Sequence, residues 1–107
     1  GKQNFETVKE NVEEKDNVKY FESVDGVTYV YTKKDVYITN MSLAGIDQDY
    51  SDIGYFRCSK SMIVNVDKVN RLKSLPSNRI DACLINGEHI IISRSYASDF
   101  RRLLRGE

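Results

Sequence analysis

The 107-residue chain has no tryptophan, one proline (Pro76), one histidine (His89) and two cysteines (Cys58 and Cys83). Two cysteines make no disulfide scaffold, and with a single histidine they fall short of the four ligands of a structural zinc site. No apolar run approaches the roughly 18–20 residues a membrane helix needs, and no charged and apolar leader opens the chain. It therefore reads as cytoplasmic, with no membrane partner. One histidine leaves little from which to assemble a Ser-His-Asp constellation around Ser59, Ser61, Ser93 or Ser95. Asp47, Asp49 and Asp52 lack the glycine and bidentate glutamate that a calcium loop requires at fixed offsets. Both phosphate-cradling glycine motifs are missing. The expectation is a protein that is no enzyme, with no cofactor and no small-molecule substrate. The first residue is Gly1 rather than Met, as in a processed or excised piece.

What the chain does contain is a composition of 40% hydrophobic and 30% charged residues, ordinary for a globular domain. The formal net charge is zero, but its distribution is uneven. Residues 1–56 hold 6 Lys and Arg against 11 Asp and Glu, whereas residues 57–105 hold 10 against 4. A chain without net charge can thus present a positive surface to an anionic partner.

Residues 1–17 form a charged, weakly patterned lead-in or edge element, and residues 18–107 the domain proper. From Val18 onward, short alternating runs rich in Val, Ile, Tyr and Thr predict strands half-buried on a sheet. Residues 18–24 and 27–32 flank Asp25-Gly26, a hairpin signal because both residues tolerate positive φ. Residues 36–39 read as the next strand. Ser42–Tyr50 reads as a short helix capped by Ser42, with Leu43, Ile46 and Tyr50 on one face. Strands resume at 55–58, 62–66 and 69–75, Pro76 to Asn78 marks a turn, and Asn86-Gly87 joins strands 80–85 and 88–92. A last helix places Tyr96, Ala97, Phe100, Leu103 and Leu104 on one face and Ser98, Arg101, Arg102 and Arg105 on the other. The expected fold class is mostly β: packed antiparallel β-sheets with one or two short helices.

The stretch Phe56 to Asn65, FRCSKSMIVN, carries most of the chemical information. Arg57 and Lys60 stand among hydroxyl and thiol groups and lead into an apolar strand. Cys58 beside Arg57 reads either as a thiol of lowered pKa able to sense redox state or as a small buried residue. Asn65 suits shaping the turn at Asp67-Lys68.

FRCSKSMIVN, followed 20 residues later by NGEHIIISRSYASDFRRLL, resembles the LytTR family of bacterial DNA-binding domains. Phe56, Ser61, Val64 and Asn65 match the family's first block, and Asn86, Gly87, Ile92, Ser93, Arg94 and Tyr96 its second. The run Tyr20 to Ser23 is similar to the family's early Y-I-E strand. The likeness spans about residues 18–104 and is nearest to short members without an attached receiver domain.

The resemblance implies packed antiparallel sheets that contact successive major grooves of double-stranded DNA through loops at one edge. It also implies transcription regulation, with pairs bound on short direct repeats as a dimer on DNA. The DNA-binding residues it suggests are Ser59, Lys60 and Ser61, then Ser93, Arg94 and Ser95 ahead of the final helix, and Thr28 past the first hairpin turn. Lys60 suits a guanine edge or a phosphate, and Arg94 suits bidentate base reading. Structural alternatives stand beside these roles: a solvated Lys60, an Arg94 paired with Asp99 or Glu88, and a Ser93 that caps the helix. Arg101, Arg102 and Arg105 serve either DNA or the helix C-terminus. The chain departs from the family where Ser59-Lys60 replaces His-Arg and Ser95 replaces a common second arginine, exchanging a planar fork for a point charge.

Two other readings compete. One is a β-sheet protein-interaction module with a basic docking edge. The other is RNA binding with Tyr29, Tyr31 and Tyr37 stacked on bases.

Overall fold

A computed structural model describes residues 3–4 and 18–106. The strands are β1 (Gln3–Asn4), β2 (Val18–Val24), β3 (Val27–Thr32), β4 (Val36–Thr39), β5 (Tyr55–Ser59), β6 (Met62–Asn65), β7 (Val69–Leu75), β8 (Arg79–Leu84) and β9 (His89–Ile92). Two helices join them, α1 (Leu43–Tyr50) and α2 (Arg94–Leu104), with short 3₁₀ turns at 51–53, 66–68 and 76–78.

β1 to β6 form one sheet in the order β1-β4-β3-β2-β6-β5, and β7-β8-β9 form a second. Every pairing is antiparallel except that of Gln3–Asn4, which runs parallel to Tyr37–Ile38 of β4. The remainder of the charged lead-in, residues 1–2 and 5–17, lies outside the described residues.

Turn chemistry sets the local connections. Asp25 and Gly26 take φ of 52° and 80°, the left-handed values that a two-residue hairpin demands. At Asn86-Gly87 the expected tight hairpin is looser. β8 stops at Leu84 and β9 starts at His89, with Gly87 at φ 93°. Ile85, expected at the strand end, sits in the turn and is 64% exposed.

The larger sheet is covered on both faces, as a sheet with alternating apolar positions requires. On one face Phe21, Val30, Tyr37 and Ile63 pack with Leu43 and Ile46 of α1. Ser42 caps this helix by accepting a hydrogen bond from Gly45 N at 3.1 Å, as its sequence position predicts. On the other face Cys58 and Val64 meet Ile80, Ala82, Leu84, Ile90 and Ile92 of the second sheet and Ala97 and Phe100 of α2. Phe56 and Phe100 lie edge to face with centroids 5.0 Å apart.

The apolar stripe expected on α2 is shorter than its sequence suggests. Leu103 and Leu104 are 45% and 51% exposed, because the packing of α2 on β5 and β8 ends near Phe100. The aromatic platform of the RNA reading is also absorbed into the fold. Tyr37 is buried, and Tyr31 stacks on Tyr20 at 4.5 Å. Nor is the basic half of the sequence a separate half of the molecule, since β2 pairs with β6 in the same sheet.

A polar clamp joins the two sheets at the far end of β2. Glu88 accepts hydrogen bonds from Tyr20 Oη at 2.9 Å and Asn86 Nδ2 at 2.6 Å, and forms an ion pair with Lys19. Burial pushes the Glu88 carboxyl up, but the bonds from Asn86, Lys19 and Tyr20 outweigh it and hold the group below the usual carboxylate range. Burial and the bond to Glu88 raise the Tyr20 phenol.

Candidate nucleic-acid interface

Lys60 and Ser61 form the turn of the β5–β6 hairpin and Ser59 ends β5 before it, where the sequence suggested the approach to a strand. The ladder pairs Arg57 with Ile63 and then Ser59 with Met62, leaving Cys58 as an extra residue. Such a bulge bends its strand and re-aims the residues beyond it. The Cys58 side chain points into the core, fully buried, with Sγ 3.4 Å from Met62 O. Burial pushes its thiol up to about 12, which decides against the redox-sensing reading.

The turn is held from three sides. Arg57 Nε and Nη2 donate to the carbonyls of Ser59 and Lys60 at 3.1 and 2.7 Å. Ser59 Oγ accepts from Ser61 N at 3.2 Å and lies 3.5 Å from Ser61 Oγ. The β2–β3 hairpin contributes Ser23 N, which donates to Ser61 O at 2.8 Å. Lys60 itself is exposed, and among the described residues its ammonium makes no hydrogen bond or ion pair.

The second expected segment lies directly alongside. Ser93 N donates to Cys58 O at 2.9 Å, so the carbonyl of the bulged residue anchors the start of α2. α2 begins two residues earlier than the sequence suggested. Arg94 and Ser95 therefore belong to its first turn, with Ser93 as the residue before it. The Ser93 hydroxyl makes no capping bond, whereas its carbonyl accepts from Tyr96 N and Ala97 N at 3.0 Å each. Arg94 is exposed and joins no hydrogen bond or ion pair among the described residues. Its two alternative partners are taken elsewhere, Asp99 by Arg102 and Glu88 by Lys19.

Thr28 is placed differently from a projecting loop residue. It lies within β3, paired with Ser23 and Thr39, and is only 6% exposed. It lines a hollow of about 610 Å³ shared by Ser23, Asn40, Ser42, Arg57 and Lys60. The β2–β3 hairpin, the segment leading into α1 and the β5–β6 turn thus face one space.

Of the final-helix arginines, Arg101 donates to Asn78 Oδ1 at 2.6 Å and Arg102 pairs with Asp99, so both already have partners in the fold. Asn65 shapes the turn as its position suggested, since Oδ1 accepts from Asp67 N at 3.1 Å and Nδ2 donates to Val18 O at 2.8 Å. Sequence reasoning misses Arg57 as a site residue. Its one signal is an arginine two residues before a Ser-Lys-Ser turn, within reach of that turn's carbonyls.

The sequence model of the LytTr DNA-binding domain matches residues 11–105. The chain belongs to the LytTR family. That family is one of DNA-binding domains found in transcriptional regulators, not an enzyme class. A solved LytTr DNA-binding domain of a methyl-accepting/DNA response regulator from Bacillus cereus superposes with a TM-score of 0.79 at 31% identity, covering 83% of this chain and 82% of that one. The sensory transduction protein LytT of Bacillus cereus is 23% identical over 90 residues, 84% of this chain and 37% of that protein. The transcriptional regulatory protein YpdB of Escherichia coli is 26% identical over 89 residues, 82% of this chain and 36% of that protein. The LytTR chain described here therefore spans little more than a third of these relatives. No described helix is long and apolar enough to cross a membrane.

Proposed function

We propose that this LytTR domain reads double-stranded DNA by laying the Ser59-Lys60-Ser61 turn and the first turn of α2 into the major groove, and that it does so in transcription regulation. The observation that carries the reading is the bond from Ser93 N to Cys58 O. It fastens the two segments together while Lys60 and Arg94 keep unpaired cationic groups among the described residues. A partner is the natural source of their missing acceptors. Arg94 offers a planar fork to guanine O6 and N7, and Lys60 a point charge to a base edge or a phosphate. Ser61 and Ser95, both exposed, supply hydroxyls for phosphate oxygens, and the unpaired amides that open α2 favour the same anion. Thr28 contributes through the wall of the hollow and not as a loop tip. Binding as a pair on direct repeats completes the reading.

A mobility-shift titration against promoter DNA from the protein's own locus tests it. Affinity should fall with salt at a log-log slope of about −0.9 per phosphate neutralised, and Lys60→Ala should flatten the slope by about one unit if Lys60 meets a phosphate. Arg94→Lys should relax base preference at one position more than it weakens binding overall. The absence of a salt-sensitive, competitor-resistant shift would reject the reading in favour of a protein-docking module.

A further inference from the structure

A recess of about 320 Å³ lies at the clamp end of β2, lined by Lys19, Lys33, Lys68, Leu84, Ile85 and Asn86. Its floor is apolar: Leu84 is 1% exposed, and the neighbouring Ile85 stands 64% exposed on the turn after β8. That turn is fastened by Ile85 N to Lys68 O at 2.9 Å, Leu84 N to Glu88 O at 2.7 Å and Gly87 N to Leu84 O at 2.9 Å. Lys19 is fixed in place by Glu88. The ammonium groups of Lys33 and Lys68 make no hydrogen bond or ion pair among the described residues. Two ammonium groups with no counterion among the described residues, set beside an apolar floor, match a carboxylate next to an aliphatic side chain.

We infer that this recess is a docking site for an acidic segment of a partner protein, one that carries an aliphatic side chain flanked by Asp or Glu. The aliphatic group fills the apolar floor between Leu84 and Ile85, and the carboxylates take the ammonium groups of Lys33 and Lys68. The volume sits at the lower limit of pockets that enclose a small molecule, about 300 Å³, and suits an anchoring side chain. Position adds a functional consequence. Lys19 and Ser23 occupy opposite ends of β2, roughly 13 Å apart at strand rise, and Ser23 is the residue bonded to the Lys60 turn. On the DNA reading above, the occupant and the DNA approach opposite ends of one strand, and the expectation is that the domain holds both at once.

Backbone amide chemical-shift titration of the full chain with the blocked peptide acetyl-Asp-Leu-Glu-Glu-amide tests the site. Shifts are expected at Lys68, Ile85 and Asn86, at least fivefold weaker binding in Lys68→Gln and in Ile85→Ser, and none of this loss in Arg71→Gln on β7. Lys33→Gln, a change at an exposed residue, serves as the second charge variant should Lys68→Gln perturb the fold. The shifts should persist when duplex DNA is present, and they should appear whether or not the chain proves to bind DNA. Three results overturn the inference: no shift at these residues, an equal response to the uncharged peptide acetyl-Asn-Leu-Gln-Gln-amide, or saturation by octanoate with no response to the acidic peptide.

Discussion

The two ends of β2 use their charge differently. At the Lys19 end, Lys19, Tyr20, Asn86 and Glu88 satisfy one another and tie the sheets together. At the Ser23 end, the backbone carries the fastening, through Ser23 N to Ser61 O and Ser93 N to Cys58 O, and Lys60 and Arg94 are left over. Backbone amides and carbonyls can lock a turn without consuming the side chains that will meet a ligand. Polar side chains that lock a fold are no longer available for one. The exception proves useful, since Arg57 is a cation at the Ser23 end that behaves like one at the clamp end.

The largest expected effect comes from removing a residue that supports both ends. Phe100 is fully buried under Phe56 at the junction of α2 with β5. Phe100→Ala should cost about 3–5 kcal/mol in chemical denaturation, and DNA affinity should fall with it because the start of α2 loses its seat.

Next in size, Glu88→Ala should destabilise the fold by about 1–2 kcal/mol, since Tyr20 and Asn86 lose their acceptor. The salt slope of DNA binding should not change, and a changed slope would break the distinction between the ends. Glu88 also sets a pH dependence. Its folded pKa is lowered, so its contribution is complete above the ordinary carboxyl pKa and is lost as pH falls through the depressed folded value. Glu88→Gln should flatten the acid limb of stability against pH, measured from denaturation midpoints between about pH 6 and 2.

Arg57→Lys should leave thermal stability nearly unaltered yet weaken DNA binding by about tenfold, because a single ammonium cannot hold both turn carbonyls as the guanidinium does. Equal losses in stability and affinity would make Arg57 a framework residue only. The smallest effect belongs to Cys58. With its thiol pushed up to about 12 and fully buried, it should react with a thiol reagent at pH 8 only at the rate of unfolding.

Much of the fold was legible where local chemistry is strong. Asp25-Gly26 declares its turn because few other residues accept its dihedral angles, and Ser42 declares a helix start by offering an acceptor to an orphan amide. The division into sheets of six and three strands was not legible. It rests on β2 pairing with β6, some forty residues away, and no local pattern encodes that choice. Leu103 and Leu104 misled because periodicity reports which residues share a face and not whether anything packs against it.

In the candidate interface, Ser59 to Ser61 and Ser93 to Ser95 were suggested by their residue types and by family likeness, and their adjacency follows only from the three-dimensional contact at Cys58. The Lys60 turn contains neither glycine nor proline, so no local signal marked it as a hairpin turn and it read as the entry to a strand. Thr28 was picked by position along a hairpin, and burial reassigned it from a tip to a wall.

Cys58, the unpaired residue of β5, also sets the phase of everything beyond it. Side chains on a strand alternate between faces, so an odd residue inserted into a ladder reverses the parity of the residues after it. Deleting Cys58 would restore an even ladder, and the tip of the hairpin would be delivered on the opposite parity. Chain length at this one position acts as a vernier between scaffold and tip. Variation in the hairpin by substitution leaves the vernier setting intact, whereas an indel of one residue resets it. Swapping hairpin tips between related domains should therefore succeed when the number of residues from Phe56 to Asn65 is kept at ten, and fail when it is not.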